Sequence, residues 1–321
     1  MGPSDLEEII SSIIQIPGES VIVGPGDDAG VFLLPGGEAI VETVDIITPV
    51  VNDPFTFGAI SAANSLSDVY AMGGKPLTAL ALIGFSSCDI KVEVIKGILK
   101  GAVEILNKAE VALMGGHSFE DPEPKFGLSV TGIVEKNKIL RQRGSRPGDF
   151  ILLTKPIGIG VLTTALKARK ISEEDLQEAA AWMLRLNDAA SRAAVDSGAT
   201  SATDVTGFGL LGHAYNMVRD SDCDFVLEYK KVPVLSGVRE MIDAGMVPEG
   251  SYNNLKFLEG MIEIKGGLKE EERLILSDPQ TSGGLLITLP ENKIDKFQSS
   301  GQPFSIIGRV ESGSGKIKII S

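Results

Sequence analysis

The chain has 321 residues, of which 43% are hydrophobic and 23% charged, and its formal net charge is −13 at pH 7. This length predicts two domains, with one large domain as the alternative. The excess of acidic residues argues against a nucleic acid partner, and no apolar run reaches the roughly 18–20 residues that cross a bilayer.

The first part of the chain alternates between the periods typical of strands and of helices. Gly36-Gly37 separates two apolar runs and predicts a turn, and Gly73-Gly74 followed by Pro76 predicts the end of a helix. In chain order the pattern predicts strands 30–34 and 39–47, helix 55–72, strand 77–85, helix 92–109, a short buried strand 111–114, a polar loop 115–125 and strand 126–134.

A turn-rich segment, RGSRPGD at 143–149, begins a second round of strands and helices. We therefore place the domain boundary near Gly148 and predict domains 1–148 and 149–321. Strands interleaved with helices in both parts predict an α/β or α+β architecture, and the periodicity leaves the strand order open. The predicted elements here are strand 150–154, helices within 159–170 and 173–196, a helix opened by 204–209 and continuing to residue 219, a glycine-rich turn 280–284 and strand 285–289.

The cellular setting follows from the N-terminus and the cysteines. The first ten residues, MGPSDLEEII, show no basic segment followed by an apolar stretch, so no signal peptide is expected. Only two cysteines occur, Cys88 and Cys223, which excludes a disulfide scaffold and a cysteine-based zinc site. We expect a cytoplasmic protein that does not bind a membrane, with both thiols structural.

Two adjacent aspartates, Asp27 and Asp28, follow the turn formed by Gly24, Pro25 and Gly26. Adjacent carboxylates repel each other, and a bound cation is one way to relieve that repulsion. A solvated turn is the simpler explanation of this pair taken alone, because aspartate favours turns.

Further carboxylates occur where a solvated turn is a weaker explanation. Asp45 ends an apolar run, where a buried carboxylate needs a partner. Asn64 and Asp68 lie four residues apart on one helix face that also carries Ile60 and is expected to be packed. Asp204 adds a further carboxylate at a strand-to-helix junction. Oxygen ligands of this kind favour Mg²⁺ over zinc or copper. Mg²⁺ in proteins is usually also bound by the phosphates of a substrate.

Glycine turns at 115–116, 207–209 and 283–284 could present backbone N–H groups to phosphate oxygens, although each is a weak signal. No Walker A loop, dinucleotide fingerprint or protein-kinase motif is present. Of the two histidines, His117 in the predicted polar loop has the better case for function, and His213 is expected to be structural or to support other residues.

Several long motifs together resemble selenophosphate synthetase, the selenide, water dikinase family. The resemblance runs from about residue 3 to the C-terminus, and the long SDVYAMGG and GGHS–DPEP stretches are closer to this family than to its relatives. Those relatives include aminoimidazole ribonucleotide synthetase, thiamine-monophosphate kinase and a hydrogenase maturation factor. The motifs are GDDAGV (26–31), ETVDIITPVVNDPFTFGAISAANSLSDVYAMGGKP (42–76), GGHSFEDPEPKFGLSVTG (115–132), LTKPIGIGVLTTA (153–165), TDVTGFGLLGH (203–213) and DPQTSGGLL (278–286).

The resemblance implies a two-domain α+β fold of the aminoimidazole ribonucleotide synthetase type, with N-terminal sheets pairing across a homodimer. It implies that ATP, selenide and water give selenophosphate, AMP and orthophosphate, with Mg²⁺ and K⁺ required. Carried over by position, the metal ligands are Asp28, Asp68 and Asp204. The ATP contacts are Pro25, Gly26, Asp27, Asp45, Asp68 and the turn Gly115, Gly116 and His117, which would reach across the dimer.

One departure from the family pattern bears on activity. The family carries an N-terminal loop with a reactive Cys or selenocysteine followed three residues later by Lys, and this sequence begins at Met1-Gly2-Pro3 without it. No catalytic residue of that pair is therefore assigned, and we expect poor selenide phosphorylation by the chain as it stands. The loop was truncated, or an upstream in-frame UGA was taken for a stop, or the chain is a paralogue with another substrate.

Two alternatives to a selenide, water dikinase stay open. One is another ATP-dependent ligase or small-molecule kinase of the same superfamily. The other is a nucleotide-binding pseudoenzyme, which would bind Mg·ATP without turning it over.

Overall fold

A computed structural model describes residues 18–321. The N-terminal residues on which the family resemblance begins therefore lie outside the described part of the chain. Within that part, no helix is long and apolar enough to cross a membrane.

The first half of the chain forms a six-stranded sheet with the order β1-β2-β3-β6-β4-β5. Its neighbouring strands run antiparallel except for β4 and β5, which are parallel. The strands are β1 (Val21–Val23), β2 (Gly30–Leu33), β3 (Glu38–Ile47), β4 (Lys75–Phe85), β5 (Ala112–Glu120) and β6 (Lys125–Glu135).

The described residues of this half also form helices α1 (Pro54–Ala71) and α2 (Val92–Lys108). The side chain of Asp53 caps α1 by accepting the backbone N–H of Thr56 at 2.8 Å, and Pro54 occupies the first turn, where its missing N–H costs nothing. Nearly every residue of α1 is buried, because the helix packs against α2, strands β3 and β6 and elements of the second half.

The second half forms a seven-stranded mixed sheet with the order β10-β13-β9-β12-β7-β11-β8. Strand β11 lies between β7 and β8 and is buried along its whole length. The strands are β7 (Phe150–Leu153), β8 (Ser201–Asp204), β9 (Cys223–Glu228), β10 (Ile262–Lys265), β11 (Leu285–Leu289), β12 (Ser305–Ser312) and β13 (Ile317–Ile320).

Helices and short 3₁₀ segments connect these strands. Helices α4 and α5 and strand β8 contact α1, so the first half's central helix is also a structural partner of the second half. The helices are α3 (Ile159–Lys167), α4 (Gln177–Leu184), α5 (Asp188–Ser197), α6 (Gly209–Val218), α7 (Val238–Asp243), α8 (Glu249–Phe257), α9 (Glu270–Leu276) and α10 (Ile294–Gln298), with 3₁₀ turns at Lys136–Lys138, Tyr229–Lys231 and Glu291–Lys293.

The α+β class is confirmed, and most predicted elements are found within about three residues of their expected ends. The helical segment predicted at 173–196 is two helices, α4 and α5. The first sheet ends at Glu135 and the second begins at Phe150. The domain boundary near Gly148 stays a prediction that agrees with this gap.

The prediction for residues 111–125 was wrong. A short buried strand and a polar loop were expected there, whereas β5 runs without interruption from Ala112 to Glu120 and is exposed throughout. Among the described strands it lies at the sheet edge and pairs with β4 alone, so its backbone is ordered by hydrogen bonds while its side chains need not be apolar.

Candidate active site

Four aspartates from four separate elements line one cavity of about 860 Å³ between the two halves of the chain. Asp28 follows the turn before β2, Asp45 lies near the end of β3, Asp68 is on α1 and Asp204 ends β8. The charge of Asp204 raises the pKa values of Asp28, Asp45 and Asp68, so the four carboxyl groups are linked electrostatically. The structure thus brings together carboxylates that are up to 176 positions apart, from Asp28 to Asp204.

The polar face of α1 supplies the centre of this group. Asn64 donates a short hydrogen bond from its amide to Asp45 Oδ2, and Ser67 is hydrogen-bonded to the carboxylate of Asp204. Thr43 on β3 donates its hydroxyl to Asp68 Oδ2 at 2.5 Å. Polar side chains on a buried helix need hydrogen-bond partners inside the protein. Here those partners include the cavity carboxylates.

Burial and neighbouring negative charges both raise the pKa values of these carboxyl groups. Burial is the main cause that raises the pKa of Asp28 and of Asp68, and the charge of Asp204 raises both further. Burial and the charge of Asp204 raise the pKa of Asp45 to about 6, and burial also raises the pKa of Asp204. A cation bound between these carboxylates would favour their ionised forms and oppose both effects.

Two buried carboxylate oxygens, Asp28 Oδ2 and Asp204 Oδ2, have no hydrogen-bond partner. Buried charged oxygens without partners are costly, so both fit the role of ligands to a bound ion. Within residues 18–321, no three Asp, Glu, His or Cys side chains already form a group that could hold an ion by themselves. A cation here would therefore need water or substrate phosphate oxygens beside the carboxylates, and Mg²⁺ commonly takes such ligands.

Side chains that sequence reasoning missed hold Asp27 and Asp28 in place. Gln142 donates its side-chain amide to Asp28 Oδ1 at 2.8 Å and its backbone N–H to Asp27 Oδ1 at 3.2 Å. Thr203 donates its hydroxyl to the same oxygen of Asp28 at 2.7 Å. The available signal was the polar run RQRG at 141–144, which the turn-rich character of the segment concealed.

Basic side chains form another part of the cavity wall. Arg141, Arg143 and Arg219 line it, and the charges of Arg141 and Arg143 act to lower the pKa of Asp27 against the larger effect of its burial. Pro25 and Gly26 line the same cavity beside Asp27, and Gly26 adopts a φ of +108°, which favours glycine. The cavity thus combines carboxylates for cations with guanidinium groups for anions.

The predicted turn at Gly115, Gly116 and His117 lies in β5 and is not among the residues that line this cavity. Gly116 stands in one row across the sheet with Ala81, Leu128 and Asp45. Three strand spacings of about 4.8 Å place the two ends of that row about 14 Å apart. Within one chain, the turn and the carboxylates are therefore separate features.

The second histidine, His213, is buried on α6 and lines the cavity. Its Nε2 accepts the backbone N–H of Thr206 at 3.1 Å, which fixes the loop that follows Asp204. Burial lowers the pKa of His213 to about 4, so the ring is neutral at pH 7. This geometry matches the structural role expected from the sequence.

Lys155 follows strand β7 and is held inside the protein. The side chain is only 2% exposed, and its Nζ donates to the carbonyl oxygens of Arg185 at 2.6 Å and Ser282 at 2.8 Å. Burial lowers the pKa of Lys155 to about 7, and the charge of Asp204 opposes that effect.

Comparison with known proteins identifies the family. The family described as AIR synthase related protein matches residues 26–134 with its N-terminal domain and residues 146–320 with its C-terminal domain. The selenide, water dikinase of Citrifermentans bemidjiense is 46% identical over 321 residues, covering 98% of this chain and 93% of that protein. The chain belongs to the selenide, water dikinase family.

Other members and more distant folds agree with this assignment. The selenide, water dikinase of Geobacter metallireducens is 45% identical and covers 93% of this chain and 88% of that protein. The crystal structure of thiamine monophosphate kinase from Aquifex aeolicus superposes with a TM-score of 0.69 at 17% identity, covering 98% of this chain and 94% of that chain. At that identity the superposition shows only that this chain shares the fold of that kinase.

Proposed function

We propose that this chain is a selenide, water dikinase that converts ATP, selenide and water into selenophosphate, AMP and orthophosphate. Both phosphoanhydride bonds of ATP are broken in this reaction, and one phosphoryl group passes to selenium and the other to water. The observation that carries the proposal is the buried carboxylate group around Asp28 Oδ2 and Asp204 Oδ2 in a chain 46% identical to a selenide, water dikinase.

In this proposal Asp28, Asp68 and Asp204 hold Mg²⁺. When bound, Mg²⁺ offsets the negative charge of the ATP phosphates. Phosphoryl transfer needs positioning and charge neutralisation more than covalent help, and a site made of rigidly held carboxylates suits that need. Hydrogen bonds from Thr43 to Asp68 and from Thr203 to Asp28 keep one oxygen of each carboxylate fixed.

ATP in turn contacts Asp27, Asp45 and Asp68 together with the turn at Pro25 and Gly26, according to the same proposal. These residues all line the 860 Å³ cavity, a volume within the range of small-molecule sites. The arginines of the cavity wall would attract the anionic phosphates. Potassium is included as a second cation, without a residue assignment.

The remaining ATP contacts, Gly115, Gly116 and His117, are proposed to serve the site of a partner subunit. The face of the first sheet carries exposed apolar side chains near these residues, including Val44 (59% exposed), Leu80 (47%) and Met114 (67%). An apolar face of this kind on a sheet is suited to pairing with a second copy of the chain. A homodimer would bring β5 of one subunit towards the carboxylates of the other.

The test is phosphorus NMR of the chain with Mg·ATP, K⁺ and selenide under anaerobic reducing conditions. Selenophosphate with matching AMP and orthophosphate supports the proposal, at the low rate expected of a chain without the family's Cys or selenocysteine loop, and Asp204→Asn serves as the matched inactive control. Bound but intact ATP, both with this chain and with a variant that carries the family's Cys/Lys segment ahead of Gly2, would instead support a pseudoenzyme. Turnover only with purine or thiamine precursors would support another kinase or ligase of the superfamily.

A further inference from the structure

A buried ammonium group, that of Lys155, lies near Asp204 but outside the residues that line the cavity. Among residues 18–321, Lys155 is the only lysine or arginine in the buried class, and it does not line the cavity. Its Nζ donates to two backbone carbonyls, of Arg185 and Ser282, rather than to a carboxylate. A lysine that is kept buried to hold two carbonyl groups needs an explanation, because burying an ammonium is expensive.

The segment held by Lys155 is conformationally unusual. Ser282 has a φ of +49°, in the left-handed region that non-glycine residues rarely adopt, and is 1% exposed. A Cβ on Gly283 would overlap the carbonyl oxygen of Val205, and one on Gly284 would overlap the backbone of Lys155. The turn at 282–284 is therefore fixed between strands β7 and β8, beside Asp204.

The same turn contacts the polar face of α1 in the other half of the chain. The backbone N–H of Ser282 donates to Asn64 Oδ1 at 2.6 Å, and the amide of Asn64 donates to Asp45 Oδ2. A continuous series of hydrogen bonds thus runs from Lys155 Nζ through Ser282 and Asn64 to Asp45. Since Asn64 uses both ends of its amide, its orientation is set by this series.

A parallel connection supports the same arrangement. Asn187 donates its amide to the carbonyl of Gly283 at 2.8 Å and to Ser67 Oγ at 2.9 Å. Ser67 in turn is hydrogen-bonded to Asp204. The turn at 282–284 is therefore connected by hydrogen bonds to two of the cavity carboxylates. Asn64 connects it to Asp45, and Asn187 and Ser67 connect it to Asp204.

We propose that Lys155 is a positioning residue for the nucleotide site. By holding the carbonyl of Ser282, it fixes the Asn64 amide and through it the carboxylate of Asp45, without touching the nucleotide. This inference rests on the proposed function, since Asp45 is assigned there as an ATP contact. It extends that function by making nucleotide affinity depend on a lysine outside the cavity.

The test is a double-mutant cycle on the binding of Mg·AMPPCP, a non-hydrolysable ATP analogue, by titration calorimetry. Lys155→Met keeps the aliphatic stem without the ammonium, and Asn64→Ala removes the amide. Each substitution is expected to weaken binding about tenfold. The double variant should bind no more weakly than the single variant with the lower affinity, because both substitutions interrupt the same series of hydrogen bonds.

Gln142→Ala provides the matched control. This substitution removes a hydrogen bond to Asp28 and does not touch the series from Lys155 to Asp45. Its effect on the dissociation constant should therefore multiply with that of Lys155→Met. Effects of Lys155→Met and Asn64→Ala that multiply in the same way would overturn the inference. If Lys155→Met does not fold, Lys155→Gln, which keeps a neutral donor, takes its place in the cycle.

A second measurement separates this inference from the proposed function. Urea unfolding of the same variants without nucleotide reports whether positions 155 and 64 are coupled in the free protein. A wild-type chain that binds no Mg·AMPPCP would refute the proposed function, and the urea cycle would still decide the inference. Additive changes in the free energy of unfolding would then refute the positioning role.

Discussion

Asp68 is the cavity carboxylate whose two proposed duties are easiest to test. One of its oxygens accepts the Thr43 hydroxyl at 2.5 Å, and the other is free for an ion or a nucleotide. Asp68→Asn is nearly isosteric and removes one negative charge, so we expect the dissociation constant of Mg·ATP to rise at least about tenfold.

Titration calorimetry measures this change directly. Asp175→Asn, in the exposed turn after Ser172, is the matched control and should leave the affinity unchanged. An Asp68→Asn variant with wild-type affinity would contradict the assignment of Asp68 as a ligand.

The carboxyl group of Asp45 leads to a prediction of how the stability of the fold depends on pH. Its pKa of about 6 in the folded chain exceeds the ordinary value of 3.8, because of burial and the charge of Asp204. The folded state therefore binds this proton more tightly than the unfolded state does. The resulting stability is present below about pH 4 and is lost as the pH rises through about 6.

Asp45→Asn keeps an acceptor for Asn64 but cannot ionise. In metal-free buffer, the melting temperature of this variant relative to wild type should rise between about pH 4 and pH 7.5. Saturating Mg·ATP should reduce the difference by stabilising ionised Asp45. Differential scanning fluorimetry across that range checks both statements, and a relative melting temperature that stays flat or falls would refute them.

At the residue scale, the chemistry of the carboxylates could be predicted from the sequence, but the residues that hold them could not. Asp28, Asp45, Asp68 and Asp204 are unusual at strand ends and on a packed helix, and residue type alone indicates a hard cation. Gln142 is an ordinary polar residue in a turn, and only the fold places it against two aspartates.

At the scale of elements, the pair α1 and α2 sets the position of the site. The helices approach closely at two glycines: a Cβ on Gly58 would overlap the carbonyl oxygen of Ile98, and one on Gly101 would overlap that of Phe55. We expect Gly101→Ala to force the helices apart and to lower the free energy of unfolding by about 3 kcal/mol.

Urea unfolding followed by circular dichroism measures this loss. Gly36→Ala is the control, since a Cβ there meets nothing within 4 Å, and it should change stability by less than about 1 kcal/mol. Equal stabilities for the two variants would show that the helix pair tolerates a wider spacing.

The elements themselves were predictable where burial gives a periodic pattern. Helix α1 was predicted at 55–72 and is found at Pro54–Ala71, and β11 at Leu285–Leu289 is as predicted. Strand β5 was mistaken for a loop over much of its length, because its glycines and polar residues are typical of turns. Its pairing with β4 depends on a distant segment, which local sequence does not specify.

At the scale of the molecule, α1 joins the two halves of the chain. It carries Asn64, which accepts the backbone N–H of Ser282, and Ser67, which accepts the amide of Asn187. The strand orders of the two sheets could not be predicted from periodicity, since hydrophobic pattern identifies strands but not their neighbours. The cavity depends on both orders, because each half contributes carboxylates to it.

The separation of about 14 Å between Gly116 and Asp45 within one sheet makes the proposed sharing of sites between subunits testable by complementation. His117→Ala and Asp204→Asn are each expected to be inactive as homodimers. In a heterodimer of the two, one site has an intact Asp204 from one subunit and an intact His117 from the other. The second site has neither.

Heterodimers isolated through two different affinity tags should therefore show about half of the wild-type rate of AMP formation, since one of two symmetric sites is intact. The two homodimers purified in parallel are the controls. Heterodimers without activity would mean that His117 serves the carboxylates of its own chain. In that case β5 would have to approach Asp45 within one subunit, which its register with β4 opposes.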